Sequence, residues 1–255
     1  MRIDQLLVQR QLASTRSQAQ RLIADGVQWR KGDVWKTVAK NGDEVPDDAE
    51  LTLLNDAEAR YVSRGGLKLE AALKHVALSV TGWSCLDVGQ STGGFTDCLL
   101  QSGALSVVGV DVGCAQLHPQ LRADPRVVCI ENVNARALTT DDLADAGMED
   151  AEFDLLVADL SFISQTLVLP AVVPFLKLGG IVLTLVKPQF ELQPGQVGKG
   201  GIVRDEAMYP LVEKRLRDTF ATLGLEVTHW FDSPIAGGDG NREFFIAGRK
   251  LAAQD

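Results

Sequence analysis

Apolar and polar positions along this chain repeat with two different periods. In residues 3–11, Ile3, Leu6 and Leu7 share one helical face, with Asp4 near the start. Ser14 is placed to cap a second helix that turns Ala19, Leu22 and Ile23 inward and leaves Arg10, Arg16, Gln18, Gln20 and Arg21 to water. Asp25-Gly26 ends that helix. The period then shortens to that of strands at 27–29, 34–38 and 51–54, separated by turns at Lys31-Gly32-Asp33 and Asn41-Gly42. Two short helices and a small curled sheet make residues 1–57 a small α+β domain, and within the polar stretch 55–63 residues 58–62 form a linker to a larger domain over 63–250.

The larger domain opens with a helix whose apolar face is Leu69, Ala72, Leu73 and Val76. Lys68 lies beside that face, where a lysine usually lays its stem on apolar surface and keeps its charge in water. Strands follow near 84–88, 106–111, 126–131, 153–158, 180–187, 226–232 and 242–249, alternating with helices near 94–102, 139–146, 165–176 and 205–223. The early strands are apolar on both faces, as in Val182-Leu183-Thr184-Leu185-Val186, which predicts a mostly parallel sheet covered on both sides. The short run Gly237-Gly238-Asp239-Gly240-Asn241 between the last two strands predicts a hairpin, so the final strand runs antiparallel to its neighbour. The class is α/β, with a seven-stranded sheet and a small amino-terminal appendage.

Composition sharpens this picture in one respect. The chain of 255 residues is 45% apolar and carries a net charge of −9, which argues against a generally basic nucleic-acid binder. Residues 1–40, however, hold eight Lys/Arg against three Asp/Glu. A basic segment on an acidic body suits a polyanion-binding appendage, although charge alone equally describes a solvated face. The four cysteines, Cys85, Cys98, Cys114 and Cys129, fit no metal or redox spacing. No signal-like or membrane-spanning run is present, and a cytoplasmic location is the default.

The candidate chemistry begins at Leu86-Asp87-Val88-Gly89-Gln90-Ser91-Thr92-Gly93-Gly94-Phe95-Thr96-Asp97, a buried strand that enters a glycine turn and opens a helix. The spacing is G-x-x-x-G-G, neither the dinucleotide fingerprint nor a phosphate-cradling loop. The next strand ends in Asp111, where a ribose would present its hydroxyls. A glycine turn and an acidic second strand without phosphate machinery suit a nucleoside lacking a pyrophosphate, S-adenosylmethionine foremost. Taken alone, the glycines fit an ordinary tight turn equally well. Four charged residues then stand beside apolar strands or helix faces: Lys68, Asp159, Lys187 and Glu243. A charge there is costly without a partner, so one or two structural ion pairs is the plain alternative to a catalytic cluster.

These stretches carry a resemblance. Arg2-Ile3-Asp4-Gln5-Leu6-Leu7, Ser14-Thr15-Arg16-Ser17-Gln18-Ala19 and Ile23-Ala24-Asp25-Gly26-Val27 with Lys31-Gly32 resemble the alpha-L RNA-binding domain of a ribosomal small-subunit protein. The resemblance implies RNA contacts from Arg16, Arg21, Arg30 and Lys31, with Arg2 and Arg64 nearby. Ser63-Arg64-Gly65-Gly66-Leu67-Lys68-Leu69, the glycine turn, Asp159-Leu160-Ser161-Phe162-Ile163-Ser164, Leu185-Val186-Lys187-Pro188-Gln189-Phe190-Glu191, Gly198-Lys199-Gly200-Gly201-Ile202-Val203 and Gly240-Asn241-Arg242-Glu243-Phe244-Phe245 resemble the FtsJ-type RNA ribose methyltransferases. With the amino-terminal domain, nearly the whole chain resembles the TlyA family, often labelled haemolysin A.

That resemblance implies a Rossmann-like class I methyltransferase, S-adenosylmethionine as methyl donor and the 2′-hydroxyl of a ribosomal RNA cytidine as acceptor. By motif position the catalytic set Lys-Asp-Lys-Glu falls on Lys68, Asp159, Lys187 and Glu243. Asp87, Gly89, Ser91, Thr92, Gly93, Gly94 and Phe95 would hold the cofactor, with Asp111 on its ribose and Asn134 near its base. The short amino terminus suggests the form acting on the large subunit only, and a monomer is the favoured assembly. Three departures bear on the site. Gln90 replaces the usual Ala beside the cofactor turn, where it adds a hydrogen bond or crowds the ligand. Gly238 replaces Pro before Glu243, and Asn132 and Val133 replace Arg-Thr before Asn134.

The chemistry needs no metal, because a sulfonium methyl is already electrophilic. Alignment of the reactants can remove ~7–11 kcal/mol of barrier. Lys187 either accepts the hydroxyl proton or holds its oxygen. As a base it requires both acids nearer to Lys68; otherwise it is a charged positioner. The glycines of 195–201 read as a mobile lid. Three other functions compete. A membrane-active haemolysin needs a long apolar or basic amphipathic segment, and none is found. A non-catalytic RNA binder conflicts with an intact charged set. A methyltransferase for protein or small molecules conflicts with the basic amino-terminal domain.

Overall fold

The computed structural model describes residues 1–54, 59–235 and 240–252. Contacts divide the chain into two units, Met1–Leu67 and Lys68–Asp255.

In the first unit, α1 (Ile3–Gln9) and α2 (Arg16–Gly26) precede an antiparallel sheet of β1 (Val27–Lys31), β2 (Val34–Thr37) and β3 (Leu51–Leu53) in the order β2-β1-β3. Its core is Ile3, Leu6, Leu7, Leu22 and Val27, each fully buried or nearly so. Two expectations are corrected at the start of α2. The cap is Thr15, not Ser14: Thr15 has the extended backbone a cap needs, and its hydroxyl accepts from Gln18 N. Gln18 does not face water either. Its side chain folds back to accept from Ser14 N at 2.6 Å, and the residue is buried. Helical periodicity alone could not show that an amide would turn inward to satisfy the helix start.

The second unit takes α3 (Gly65–His75) from Lys68 onward. It continues through β4 (Ser84–Val88), α4 (Gly94–Gln101), β5 (Ser106–Val110), α5 (Pro119–Arg122), β6 (Val127–Ile130), α6 (Thr140–Asp145), β7 (Phe153–Asp159), α7 (Gln165–Val172), β8 (Leu176–Val186), α8 (Pro188–Glu191), α9 (Tyr209–Thr222), β9 (Leu225–Asp232) and β10 (Phe244–Lys250). The seven strands lie in the order β6-β5-β4-β7-β8-β10-β9. β4 through β8 pair in parallel, and β10 is inserted antiparallel between β8 and β9. The seven predicted strands are all present.

The predicted helix 165–176 is corrected: it stops at Val172 because Pro174 follows, and β8 begins at Leu176, earlier than expected. The short α5 had no apolar period to announce it. Gly237, Gly238 and Asp239 of the predicted hairpin loop lie outside the described residues, so the departure at Gly238 does too. Burial pushes the Cys85 thiol up to about 12, as befits a small core hydrophobe.

Candidate active site

Sheet register brings the charged residues together. Asp159 ends β7 and pairs with Leu185 on β8, two residues before Lys187. On the other side of β8, Phe244 pairs with Val186, so Glu243 enters β10 alongside Lys187. Lys68 reaches the same place from α3. Lys68 Nζ lies 2.5 Å from Glu243 Oε2, with side chains only 9% and 3% exposed. Lys187 Nζ lies 2.6 Å from Asp159 Oδ1 and donates to Ser161 Oγ at 2.9 Å. Their side chains are 14% and 25% exposed. The two pairs feel one another. Burial raises the Glu243 carboxyl above the ordinary glutamate range, while Lys68 first and Lys187 after it pull it back and Asp159 adds to the rise. The lysine beside an apolar face is therefore a buried ion-paired lysine, not a snorkelling one.

A pocket of about 370 Å³ opens beside this cluster. Gly89, Ser91, Asp111, Gln116, Asn134, Asp159 and Ser161 give it polar walls, and Val110, Leu160, Ile163 and Val168 apolar ones. That size and mixture suit a nucleoside. Gly89 is obligatory: its φ is +82°, and a side chain there would press to 2.8 Å from the carbonyl of Asp159. Asp111 accepts from Ser91 N and Gly113 N, both at 2.7 Å, which fixes its carboxylate at the pocket wall. Asn134 accepts from Arg136 N at 3.1 Å.

Asp87, Thr92, Gly93, Gly94 and Phe95 do not line this pocket. A side chain at Gly93 would strike Leu121 and Leu117, so that glycine faces α5. Phe95 is buried in the core. Asp87 lies beneath the turn and accepts from Thr96 Oγ1 at 2.7 Å, while Gln90 Nε2 donates to Thr96 Oγ1 at 2.9 Å. The amide of Gln90 occupies the space over Gly109 of β5, where a Cβ would meet it at 2.0 Å. Gln90 thus adds a hydrogen bond and points away from the pocket. Burial pushes the Asp87 carboxyl up to about 7, against the pull of the Thr96 hydroxyl.

Several residues of the site escaped sequence reasoning. Gln116 reaches the pocket from a loop with no motif, and Ser91 Oγ donates to its Oε1 at 3.3 Å. Phe162 is 90% exposed, has φ +64° and sets its ring 5.1 Å from that of Phe190. Glu191 is buried and accepts from Gln165 N at 2.8 Å and from Ser164 Oγ at 2.5 Å, tying the segment after Asp159 to the segment after Lys187. Asn241 is buried two residues before Glu243. It accepts from Val203 N at 3.0 Å and donates to Gly201 O at 2.9 Å. The glycine stretch read as a free lid is therefore held down at its carboxyl end. Phe162, Glu191 and Asn241 lay inside the motifs, but only the fold shows what they touch; Gln116 had no motif to signal it.

In the first unit the candidate RNA-binding side chains differ in availability. Arg2 and Arg16 both bind the buried Asp4, at 3.0 and 2.8 Å, and chiefly Arg2 holds its carboxyl well below the usual range. Arg30 pairs with Glu50 at 3.1 Å. Lys31 is exposed, and Arg21 and Arg64 are half-buried.

Comparison with known proteins places these features. Residues 61–250 match the FtsJ-like methyltransferase family, and residues 1–26 match the S4 domain. The 16S/23S rRNA (cytidine-2′-O)-methyltransferase TlyA of Mycobacterium tuberculosis is 43% identical, covering 96% of this chain and 88% of that protein. The 23S rRNA (cytidine-2′-O)-methyltransferase TlyA of Campylobacter jejuni is 33% identical, covering 82% and 79%. A solved structure described as a candidate hemolysin from Streptococcus thermophilus is 40% identical with a TM-score of 0.75, covering 99% of this chain and 89% of that one. Among the described residues, no helix is long and apolar enough to cross a membrane, and no group of three or more His, Cys, Asp or Glu could hold a metal.

Proposed function

The chain belongs to the FtsJ-like methyltransferase family, and from that premise we propose that it methylates the 2′-hydroxyl of a cytidine in ribosomal RNA, using S-adenosylmethionine. The large subunit is the proposed substrate, because 23S rRNA appears in the names of both TlyA relatives. The single observation that carries the reading is the meeting of Lys68, Asp159, Lys187 and Glu243 beside a nucleoside-sized pocket.

The pocket fits the cofactor by its chemistry. Asp111, held by two backbone N–H groups, keeps lone pairs for a ribose diol, and the apolar wall of Val110, Leu160, Ile163 and Val168 suits a purine. Ser91 and Asn134 supply polar contacts there. Asp87, Thr92, Gly93, Gly94 and Phe95 shape the turn from behind. When bound, S-adenosylmethionine supplies a sulfonium methyl that needs no further activation. The chain has to position a poor nucleophile in line with it. Each lysine has its own carboxylate, so Lys187 serves as a charged positioner. Anchored by Asp159 and Ser161, its ammonium donates a hydrogen bond to the 2′-oxygen and fixes the direction of its lone pair. The hydroxyl proton passes to the Asp159 carboxylate, because the ammonium has no lone pair to take it, and on to solvent through the open side of the pair. Lys68 and Glu243 brace that pair from below.

RNA is gripped, in this proposal, through the first unit as well, with Lys31 the most available of the expected cations. Arg2 and Arg16 are preoriented by Asp4 and still present about half of each side chain to solvent, at 45% and 54% exposure. The action on ribosomal RNA agrees with a cytoplasmic, non-membrane protein. The reading is tested by incubating the chain with labelled S-adenosylmethionine and unmodified ribosomal subunits. Label should enter rRNA with wild type and not with Lys187→Ala; label in protein, or none with wild type, would refute it.

A further inference from the structure

Glu191 is a buried carboxylate that the chemistry proposed above does not use. It is 2% exposed, and among the described residues no cation forms an ion pair with it; Arg215 donates to its backbone carbonyl instead. A charge buried in that way is costly. Burial pushes its carboxyl above the ordinary glutamate range, against the pull of the Ser164 hydroxyl and the Gln165 N–H. Those two donors explain its place. Ser164 caps α7 and Gln165 is its first residue. A carboxylate from the segment after β8 therefore closes the start of the helix after β7, the end at which a helix favours an anion.

That contact is one of three between the same two segments. Gln165, itself buried, donates from Nε2 to Leu185 O and accepts from Thr184 Oγ1, both at 2.7 Å. At the other end Lys187 binds Asp159 and Ser161. Between these points run residues 160–164, which carry Ser161 and the left-handed Phe162. A bulky residue keeps that backbone only where its surroundings over-determine it. β7 fixes one end of this loop through Asp159, and Glu191 with Gln165 fixes the other. Lys187 and Glu191 are in turn rigidly linked. α8 is a single turn between them, and Phe190 N donates to Lys187 O at 2.9 Å.

We infer that Glu191 is a positioning residue: by holding Ser164 and Gln165 it sets the loop of residues 160–164, and through Ser161 the direction in which Lys187 presents its ammonium. This rests on the role proposed for Lys187. What the geometry demands of Glu191 is two hydrogen bonds, not its charge. A glutamine can make both, its Oε1 accepting from Gln165 N and its Nε2 donating to Ser164 Oγ, whose hydroxyl then turns to Thr166 Oγ1. An alanine makes neither.

The test follows single-turnover methyl transfer to purified large ribosomal subunits, with S-adenosylmethionine and subunits both saturating, so that positioning rather than binding is read. Wild type, Glu191→Ala, Glu191→Gln, Ser161→Ala and the double variant of Glu191→Ala with Ser161→Ala are compared, and thermal melting confirms that each is folded. Glu191→Ala should slow transfer about 10²-fold, the effect of roughly an ångström of misplacement. Glu191→Gln should recover most of the loss. The double variant should be little slower than the slower single one, because both changes release the same lysine. A wild-type rate in Glu191→Ala overturns the inference. So does a Gln variant as slow as Ala, or losses that multiply in the double variant. If Glu191→Ala does not fold, Ser164→Ala, which withdraws one of the two donors, replaces it in the same comparison and the same outcomes decide. If wild type transfers no methyl, the proposed function falls as well; if wild type methylates and the variant matches it, only this inference falls.

Discussion

The Lys68–Glu243 and Lys187–Asp159 pairs have nearly the same length, 2.5 and 2.6 Å, and differ in their access to water. Lys68 and Glu243 are almost sealed. Lys187 and Asp159 keep an open side toward the pocket that Asp159 and Ser161 line. A sealed pair holds position well but cannot meet a substrate. An open pair can, at the cost of being less firmly held by packing, and Ser161 supplies a third point of attachment. Under the proposed function, this difference in access divides the four charges into a brace and a working pair.

That division can be broken most sharply at Lys187. Lys187→Ala should reduce methyl transfer by about 10²–10³-fold and leave thermal stability nearly unchanged; single-turnover rates and melting curves read the two separately. The reverse weighting is expected at the brace. Lys68→Ala leaves a buried carboxylate without its cation and should cost about 3–5 kcal/mol of stability, measured by denaturant unfolding. Removing both charges together, in Lys68→Met with Glu243→Leu, should recover much of that stability without restoring transfer.

Asp87 sharpens the contrast further, because it is buried like Glu243 but forms no ion pair with a cation among the described residues. Its carboxyl is raised to about 7 by burial. A raised acid is tolerated while protonated, so the wild type loses this part of its stability as pH rises toward 7, and keeps it at low pH. Asp87→Asn cannot ionise and still accepts from Thr96. Its stability relative to wild type should therefore grow by roughly 2–3 kcal/mol between pH 5 and pH 8, and then level off. A difference that is flat with pH would mean that Asp87 is ionised throughout.

The smallest effect is expected behind the brace. Asn241→Ala removes two hydrogen bonds to the glycine stretch and should cost about 1–2 kcal/mol. Limited proteolysis should then cut within 198–203 faster than in wild type.

Much of this was legible in the sequence, for definite reasons. Doubly apolar runs such as Val182 to Val186 fit interior strands covered on both faces, and in a mostly parallel sheet the ligand side is at the strands' carboxyl ends, where Asp159 and Lys187 stand. The short glycine-rich connection gave the antiparallel last strand. What stayed hidden depends on contacts between distant segments. Lys68 and Glu243 are 175 residues apart, and only the fold shows that they meet. Gln90 read equally well as crowding the pocket or bonding away from it, until Gly109 across the sheet proved to leave room for its amide. Gln18 looked solvent-facing by period because a helix wheel carries no account of unsatisfied backbone groups.

The central claim is that the open pair positions a ribose hydroxyl in RNA. The most direct measurement digests rRNA to nucleosides after reaction with S-adenosylmethionine and identifies the methylated product by mass spectrometry. The account predicts 2′-O-methylcytidine from wild type and none from Lys187→Ala. A methyl group on a base, or equal yields from the two proteins, would contradict it.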